Sequence, residues 1–300
     1  MLPPAWTDVW ISPIPDAKVQ AVGIDAAGRT QYRYSAAWSA RRAQEKFAHV
    51  PDFARALPGL REHVAGHLTT PVTTVGDQGL LSRERVLAAA VRLLDRGFFR
   101  VGSERYARDN ETYGLTTLQR RHAHVDGDVL HFDYVAKEHQ HRIVDVADEA
   151  VAAIVQRLLD RDDPNDELLA WQLPGGGWQP VHSAHVNSYV HALTGIDATA
   201  KQFRTWAGTV LAATALGGAE HGEKSRSPVV AAMRATSKLL GNTPAVARAS
   251  YVHPGVVQSF DEGRTTADAV KAAAERLGDP RLVVVWGDPQ VQRSALDLIS

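Results

Sequence analysis

The 300-residue chain contains no cysteine, which excludes disulfides, thiolate metal sites and cysteine nucleophiles. It has no surplus of either charge: 33 Lys and Arg stand against 34 Asp and Glu, for a formal net charge of −1. A nucleic-acid-binding domain usually shows an open basic excess, so any such surface here must be a local patch hidden in the average. No apolar run approaches the ~18 residues of a membrane span. The opening MLPPAWTDVW has neither the basic nor the apolar region of a secretion signal, so a soluble, cytoplasmic protein is expected. GxSxG and HExxH are both missing, which removes local support for a serine hydrolase or a zinc protease. Gly175–Gly177 lacks the Lys-Ser/Thr that a phosphate-cradling loop needs, and reads as a turn. His122 with His124 and His139 with His141 have no matching carboxylate pattern, and read as solvated hairpin histidines.

What is present is ordinary globular sequence, 44% hydrophobic and 22% charged, long enough for one large domain or two. Residues 1–34 read as β: WTDVWIS alternates, VQAVGID follows, and AAGRTQYRY turns at Ala27–Gly28 and returns. Helical spacing runs from Trp38 to about Leu57. GHLTTPVTTVGDQG (66–79), poor in large apolar groups, reads as a linker. Ser82 caps a helix that stops at Gly97. VDGDVLHFDYV turns at Asp126–Asp128 and runs out as a strand, RIVDV pairs with it, and AKEHQ forms the hairpin tip. Helices are expected over 147–160, 182–193, 199–216, 227–240 and 243–259. Thr243 and Pro244 supply a cap and a first-turn proline, which places Tyr251 two turns into the last of these.

Four residues sit in unusual settings. Arg100 follows two phenylalanines in FFRVGSERYARDNETYGLTTLQ. Lys137 stands at the hairpin tip, and Arg204 lies between Phe203 and Trp206 in KQFRTWAGT. Tyr251 ends the run of small residues in LGNTPAVARASYVHP, where a core tyrosine would have bulky neighbours. An arginine among aromatics is costly to bury unless an anion or a carboxylate meets it. Each cation taken singly reads as a structural salt bridge, and the tyrosine as half-buried packing.

Taken together and in order, RVGSERYARDNETYGLTTLQ, KQFRTWAGT and LLGNTPAVARASYVHP resemble the type IB DNA topoisomerases in their compact bacterial and poxvirus form. PPAWTDVWI and VGIDAAGRTQYRY resemble the small DNA-clamping domain of that family, so the resemblance runs over roughly residues 3–260. It implies an α+β protein with a small β-rich domain over 1–70, a linker over 71–80, and a mainly helical catalytic domain over 81–300 that includes a small antiparallel sheet. It also implies relaxation of supercoiled DNA through transient cleavage of one strand, without ATP, metal or any other cofactor, by a monomer associated with the nucleoid. Tyr251 would be the nucleophile that carries a 3′-phosphotyrosine, Arg100 and Arg204 the clamp on the non-bridging oxygens, and Lys137 the acid for the departing 5′-oxygen. Asn242 stands where many relatives have histidine; its amide can donate to phosphate but brings no charge. Gln31, Tyr32, Tyr34, Tyr106 and Lys201 match positions that touch DNA, contacts of the kind that fix position more than they read sequence.

The chemistry suits those residue types. Bidentate guanidinium groups match the equatorial oxygens of a phosphorus centre under displacement, and a lysine ammonium can protonate a poor alkoxide leaving group. Tyr251 must lose a proton, which nearby arginines favour; no general base is evident in the sequence. Relatives usually carry several dozen residues ahead of the PPAW-like stretch, so either the start is a late or truncated one or the small domain is incomplete. Two rivals remain at this stage. A tyrosine recombinase would share the Arg, Lys, Arg, Tyr set but not GLTTLQ or the β-rich N-terminal region. A catalytically silent DNA-binding module would not need that set intact.

Overall fold

A computed structural model describes residues 2–69, 80–219 and 228–300. The expected 71–80 linker falls almost entirely outside the described residues. Two compact units divide the chain, Met1–His49 and Val50–Ser300.

The first unit is a three-stranded antiparallel sheet followed by one helix. Strands β1 (Thr7–Ile11), β2 (Val19–Ile24) and β3 (Thr30–Tyr34) lie in sequence order, with Val22 opposite Tyr32 and Gly23 opposite Gln31. Trp6 lies across Gly23, where an added Cβ would come within 2.6 Å of the indole, so PPAW and VGID fold as one piece. Helix α1 (Ala36–Ala48) starts at Ser35, whose hydroxyl accepts from the Trp38 amide. The single helix expected from Trp38 to Leu57 is two, and the second runs on to Thr69. Pro51 has no N–H to continue the helical ladder from α1, which breaks the chain at His49. Helix α2 (Val50–Thr69) buries Phe53, Leu57, Leu60, Val64 and Leu68 against helices of the second unit. By its contacts the unit boundary therefore lies at residue 49, rather than near 70.

The second unit continues with α3 (Arg83–Gly97), capped by Ser82, and the short α4 (Glu104–Asn110). An antiparallel meander follows, β4 (Ala123–Asp126), β5 (Val129–Ala136) and β6 (Gln140–Ala147). Its first turn is at Gly127 and its second at Lys137–His139, as the hairpin signals predict. Then come α5 (Glu149–Leu159), the β7 (Ala170–Gln172) and β8 (Trp178–Pro180) hairpin turning at Gly176–Gly177, α6 (Ser183–Thr194), α7 (Ala200–Gly217) and α8 (Pro228–Leu240). Helix α7 is the axis of the core: fourteen of its eighteen residues are buried, and it packs on α2, α3, α6 and α8. The expected 243–259 helix is two short ones, α9 (Pro244–Ser250) and α10 (Pro254–Asp261). Pro254 excludes its predecessor from the helical region, and His253 lies extended at φ −61°, ψ 129°. Helices α11 (Ala267–Leu277), α12 (Leu282–Val285) and α13 (Pro289–Asp297) close the chain and brace α7. No helix among the described residues is long and apolar enough to cross a membrane.

Candidate active site

Arg100 is placed by two aromatic anchors and a backbone clamp. Phe98 ends α3 in the left-handed region, φ 54°, so the chain turns sharply and the two phenylalanines diverge. Phe98 packs on Trp286 at 4.9 Å between ring centroids, while Phe99 packs on Phe132 at 5.0 Å and on Tyr134 at 5.9 Å. Beyond them the Arg100 carbonyl accepts from the Leu115 amide at 2.8 Å, and the Val101 carbonyl from the Thr116 amide at 2.7 Å. This contact needs two glycines. A Cβ on Gly114 would lie 2.5 Å from the Gly102 Cα, and Gly102 itself has φ +106°. RVGS and GLTT are therefore two halves of one clamp, which gives GLTTLQ a structural reason to accompany Arg100.

Arg204 enters from α7 and is only 3% exposed. It donates to the Phe98 carbonyl and, at 2.8 Å, to the Leu240 carbonyl. Arg100, half-buried, donates to the Gly241 carbonyl at 3.1 Å. Both guanidinium groups thus rest on the last carbonyls of α8, the negative end of its dipole. Among the described residues no carboxylate pairs with either, so each is a cation held by neutral acceptors.

Tyr251 meets this pair at the end of α9. The phenol was expected two turns into a continuous helix; instead it is the C-cap, φ −135°, ψ −16°, in the gap before α10. Its ring lies 4.9 Å from the Arg204 guanidinium carbon, a cation–π contact. Burial pushes the phenol up, but charge and hydrogen bonding from Arg204 and then Arg100 outweigh it, and the group lies below its ordinary 10.0. Burial also pushes the Arg204 guanidinium down, against the pull of Tyr251.

Two α7 residues that sequence reasoning passed over seat this tyrosine. A Cβ on Gly208 would come within 2.7 Å of the Tyr251 carbonyl oxygen and 2.8 Å of its Cβ. Next to it, Thr209 Oγ1 accepts from the His253 amide at 3.1 Å, and its one proton is shared between the Thr205 carbonyl at 2.8 Å and the Tyr251 carbonyl at 3.3 Å. A glycine and a threonine inside the apolar WAGT segment were the available signal.

Lys137 is exposed at the hairpin tip, where Glu138 and His139 both have positive φ. It lines, together with Arg100, Val101, Gly102 and Tyr113, a cleft of about 210 Å³. Asn242 follows the Gly241 turn, and both polar atoms of its side chain are buried without a hydrogen-bond partner. Arg100, Arg204, Tyr251 and Asn242 thus gather at the α8–α9 junction, and Lys137 shares a cleft with Arg100.

The other candidates stand apart. Tyr32 and Tyr34 are exposed on one face of β3, stacked with centroids 6.4 Å apart. Gln31 is on the opposite face, its amide donating to Asp25 at 2.9 Å. Lys201 is exposed in the first turn of α7. Tyr106 falls in α4, and its side chain lies outside those described. Of the hairpin histidines, His122 packs on Tyr113 and His141 pairs with Asp133.

A family profile described as the catalytic core of eukaryotic DNA topoisomerase I matches residues 35–277. A profile for the N-terminal domain of bacterial DNA topoisomerase IB matches residues 1–25. A DNA topoisomerase 1B of Acanthamoeba polyphaga mimivirus is 25% identical over 269 residues, covering 84% of this chain and 75% of the viral protein. With a family core matched over more than half its length and an N-terminal domain model matched beside it, the chain belongs to the type IB DNA topoisomerases and is a DNA topoisomerase, an isomerase acting on DNA.

Proposed function

We propose that the enzyme relaxes supercoils by attack of Tyr251 on a backbone phosphate. The phenol oxygen forms a bond to phosphorus and the bond to the 5′-oxygen breaks, leaving a 3′-phosphotyrosine. The departing 5′-oxygen takes a proton from Lys137. Arg100 and Arg204 hold the non-bridging oxygens, and the Asn242 amide donates to one of them. Reversal of the same step reseals the strand, and because the phosphodiester energy is kept in the tyrosyl ester, neither ATP nor metal is required. All five of these residues come from one chain, so the reaction needs no second copy and a monomer suffices. The place of action would be cytoplasmic and nucleoid-associated.

The observation that carries this is Arg204: a guanidinium almost fully buried beneath a phenol, with carbonyls as partners and no carboxylate among the described residues. Desolvating a cation without a counter-charge costs several kcal/mol, and an anionic phosphate arriving at Tyr251 would offset it. The same field favours loss of the phenol proton to solvent, a step for which the sequence offers no general base. Tyr251→Phe keeps the ring and removes the reacting oxygen. It is expected to bind DNA, to form no covalent adduct with end-labelled DNA, and to leave supercoiled plasmid unrelaxed in EDTA without ATP. Labelled DNA attached to the substituted protein would refute the assignment.

A further inference from the structure

The end of α8 holds three arginines, and only two have been given a role. Its last carbonyls are taken in order: Leu239 by Arg142 Nη2 at 3.1 Å, Leu240 by Arg204 Nη2 at 2.8 Å, and Gly241 by Arg100 Nη2 at 3.1 Å. Arg142 comes from β6, directly opposite Tyr134 on β5. Tyr134 is buried and stacks on Phe99, the residue before Arg100. Arg142 thus reaches the clamp from two sides, through the α8 turn and through the aromatic pair behind Arg100. The turn is shaped for it: Gly241 has φ +61°, and a Cβ there would lie 2.3 Å from Arg142 Nη1 and 2.7 Å from its Cζ. No acidic partner of Arg142 is present among the described residues.

We propose that Arg142 is a positioning residue for DNA cleavage, one that fixes the Leu239–Gly241 turn and so sets where Arg100, Arg204 and Asn242 point. The inference rests on the active-site assignment above. A helix C-terminus carries roughly half a negative charge, and three guanidiniums on it leave the junction strongly positive. Each of the three carbonyls is taken by one arginine. Without Arg142 the Leu239 carbonyl is free to draw Arg204 or Arg100 off its present acceptor and away from the phosphate. Asn242, which follows the turn directly, would shift with it. The exposure of Arg142 is intermediate, its guanidinium lying against Gly241.

The test compares Arg142→Ala, Arg142→Lys and Tyr251→Phe with the wild-type full chain. Single-turnover cleavage is measured on a suicide substrate, DNA affinity across ~50–200 mM salt, and Tm by thermal unfolding. Arg142→Ala is expected to cleave about 10–100-fold more slowly, the loss of one charge-assisted bond. Its affinity and salt slope should match wild type, and Arg142→Lys, which keeps a donor for Leu239, should recover most of the rate. Wild-type cleavage by Arg142→Ala overturns the proposal. So does a salt slope shallower by about 0.9, the mark of a lost phosphate contact, or a cleavage loss that tracks a fall in Tm equally in both variants. Cleavage by Tyr251→Phe would overturn the active-site assignment itself. An inactive Tyr251→Phe beside a fully active Arg142→Ala would remove Arg142 alone.

Discussion

A phenol that must ionise beside two cations should report them in its pH dependence. Charge from Arg204 and Arg100 favours the phenolate, so single-turnover cleavage is expected to rise with pH and level off below the ordinary 10.0. Removing one cation weakens the pull on the phenolate and leaves burial less opposed, so Arg100→Ala should move that break upward. A break that stays in place would show that the arginines hold phosphate only. Lys137 belongs to the other half of the step. Lys137→Ala should slow cleavage by ~10²-fold or more. A substrate with a 5′-bridging sulfur needs no proton on leaving and should be cut by the variant at near the wild-type rate; equal defects on both substrates would mean that Lys137 only positions DNA.

At the scale of elements, the site depends on how closely α7 and the α9–α10 junction approach. Gly208 lets the Tyr251 backbone lie on α7, where a methyl group would have to occupy space within 2.8 Å of the Tyr251 Cβ. Backbone atoms cannot move aside as a flexible side-chain end can. Gly208→Ala is therefore expected to displace the phenol by a few tenths of an ångström to about 1 Å, and a shift of that size can cost ~10²-fold in rate. Alanine is a better helix former than glycine, so α7 itself should survive. The check is single-turnover cleavage beside circular dichroism: slow cleavage with an unchanged helical spectrum is expected, and full activity would mean that the junction yields freely. The break at His253–Pro254 matters for the same reason, since it ends the helical ladder at Tyr251, whose N–H still donates to the Ala247 carbonyl at 2.9 Å.

Over the whole molecule, buried carboxylates held in ion pairs outside the site set the response to acid. Arg161, with a fully buried side chain, pairs with Asp163 at 3.1 Å and donates to the Leu158 and Leu168 carbonyls at 2.9 Å, tying down the loop before β7. Burial pushes Asp163 up, but hydrogen bonds from Asn165 and Arg161 prevail and hold it below 3.8. Asp288, which caps α13 and pairs with Arg276, is likewise held below 3.8 against burial. A carboxyl depressed in the folded state contributes stability that is complete above its unfolded value and lost as pH falls through the folded one. Tm should therefore hold down to about pH 5 and fall progressively below pH 4. Asp163→Asn should flatten that fall while lowering stability by ~3–5 kcal/mol at neutral pH, since it leaves a buried arginine without its counter-charge. An unchanged acid profile in Asp163→Asn would assign the fall to other groups.

The sequence by itself marked many of the elements and proposed the cast of the site. Period-2 and period-3.6 patterns, the Ser82 and Thr243 caps and the turn at Gly127 marked strands and helices, because each depends on contacts a few residues apart. The order of RVGS, GLTTLQ, KQFRTWAG and ASYVHP marked the family, since those residue types are set by chemistry. Even the breaks at His49 and His253 had a local signal, in Pro51 and Pro254. The tertiary structure alone decided what those residues do to one another. That Gly114 exists to receive Gly102, that Gly208 seats Tyr251, and that Arg204 is buried with no carboxylate partner among the described residues are facts about approach between segments from 12 to over 100 residues apart. Such approaches leave no periodicity in the chain, because distance through space is fixed only when the apolar faces of α2, α3, α7 and α8 close over a common core.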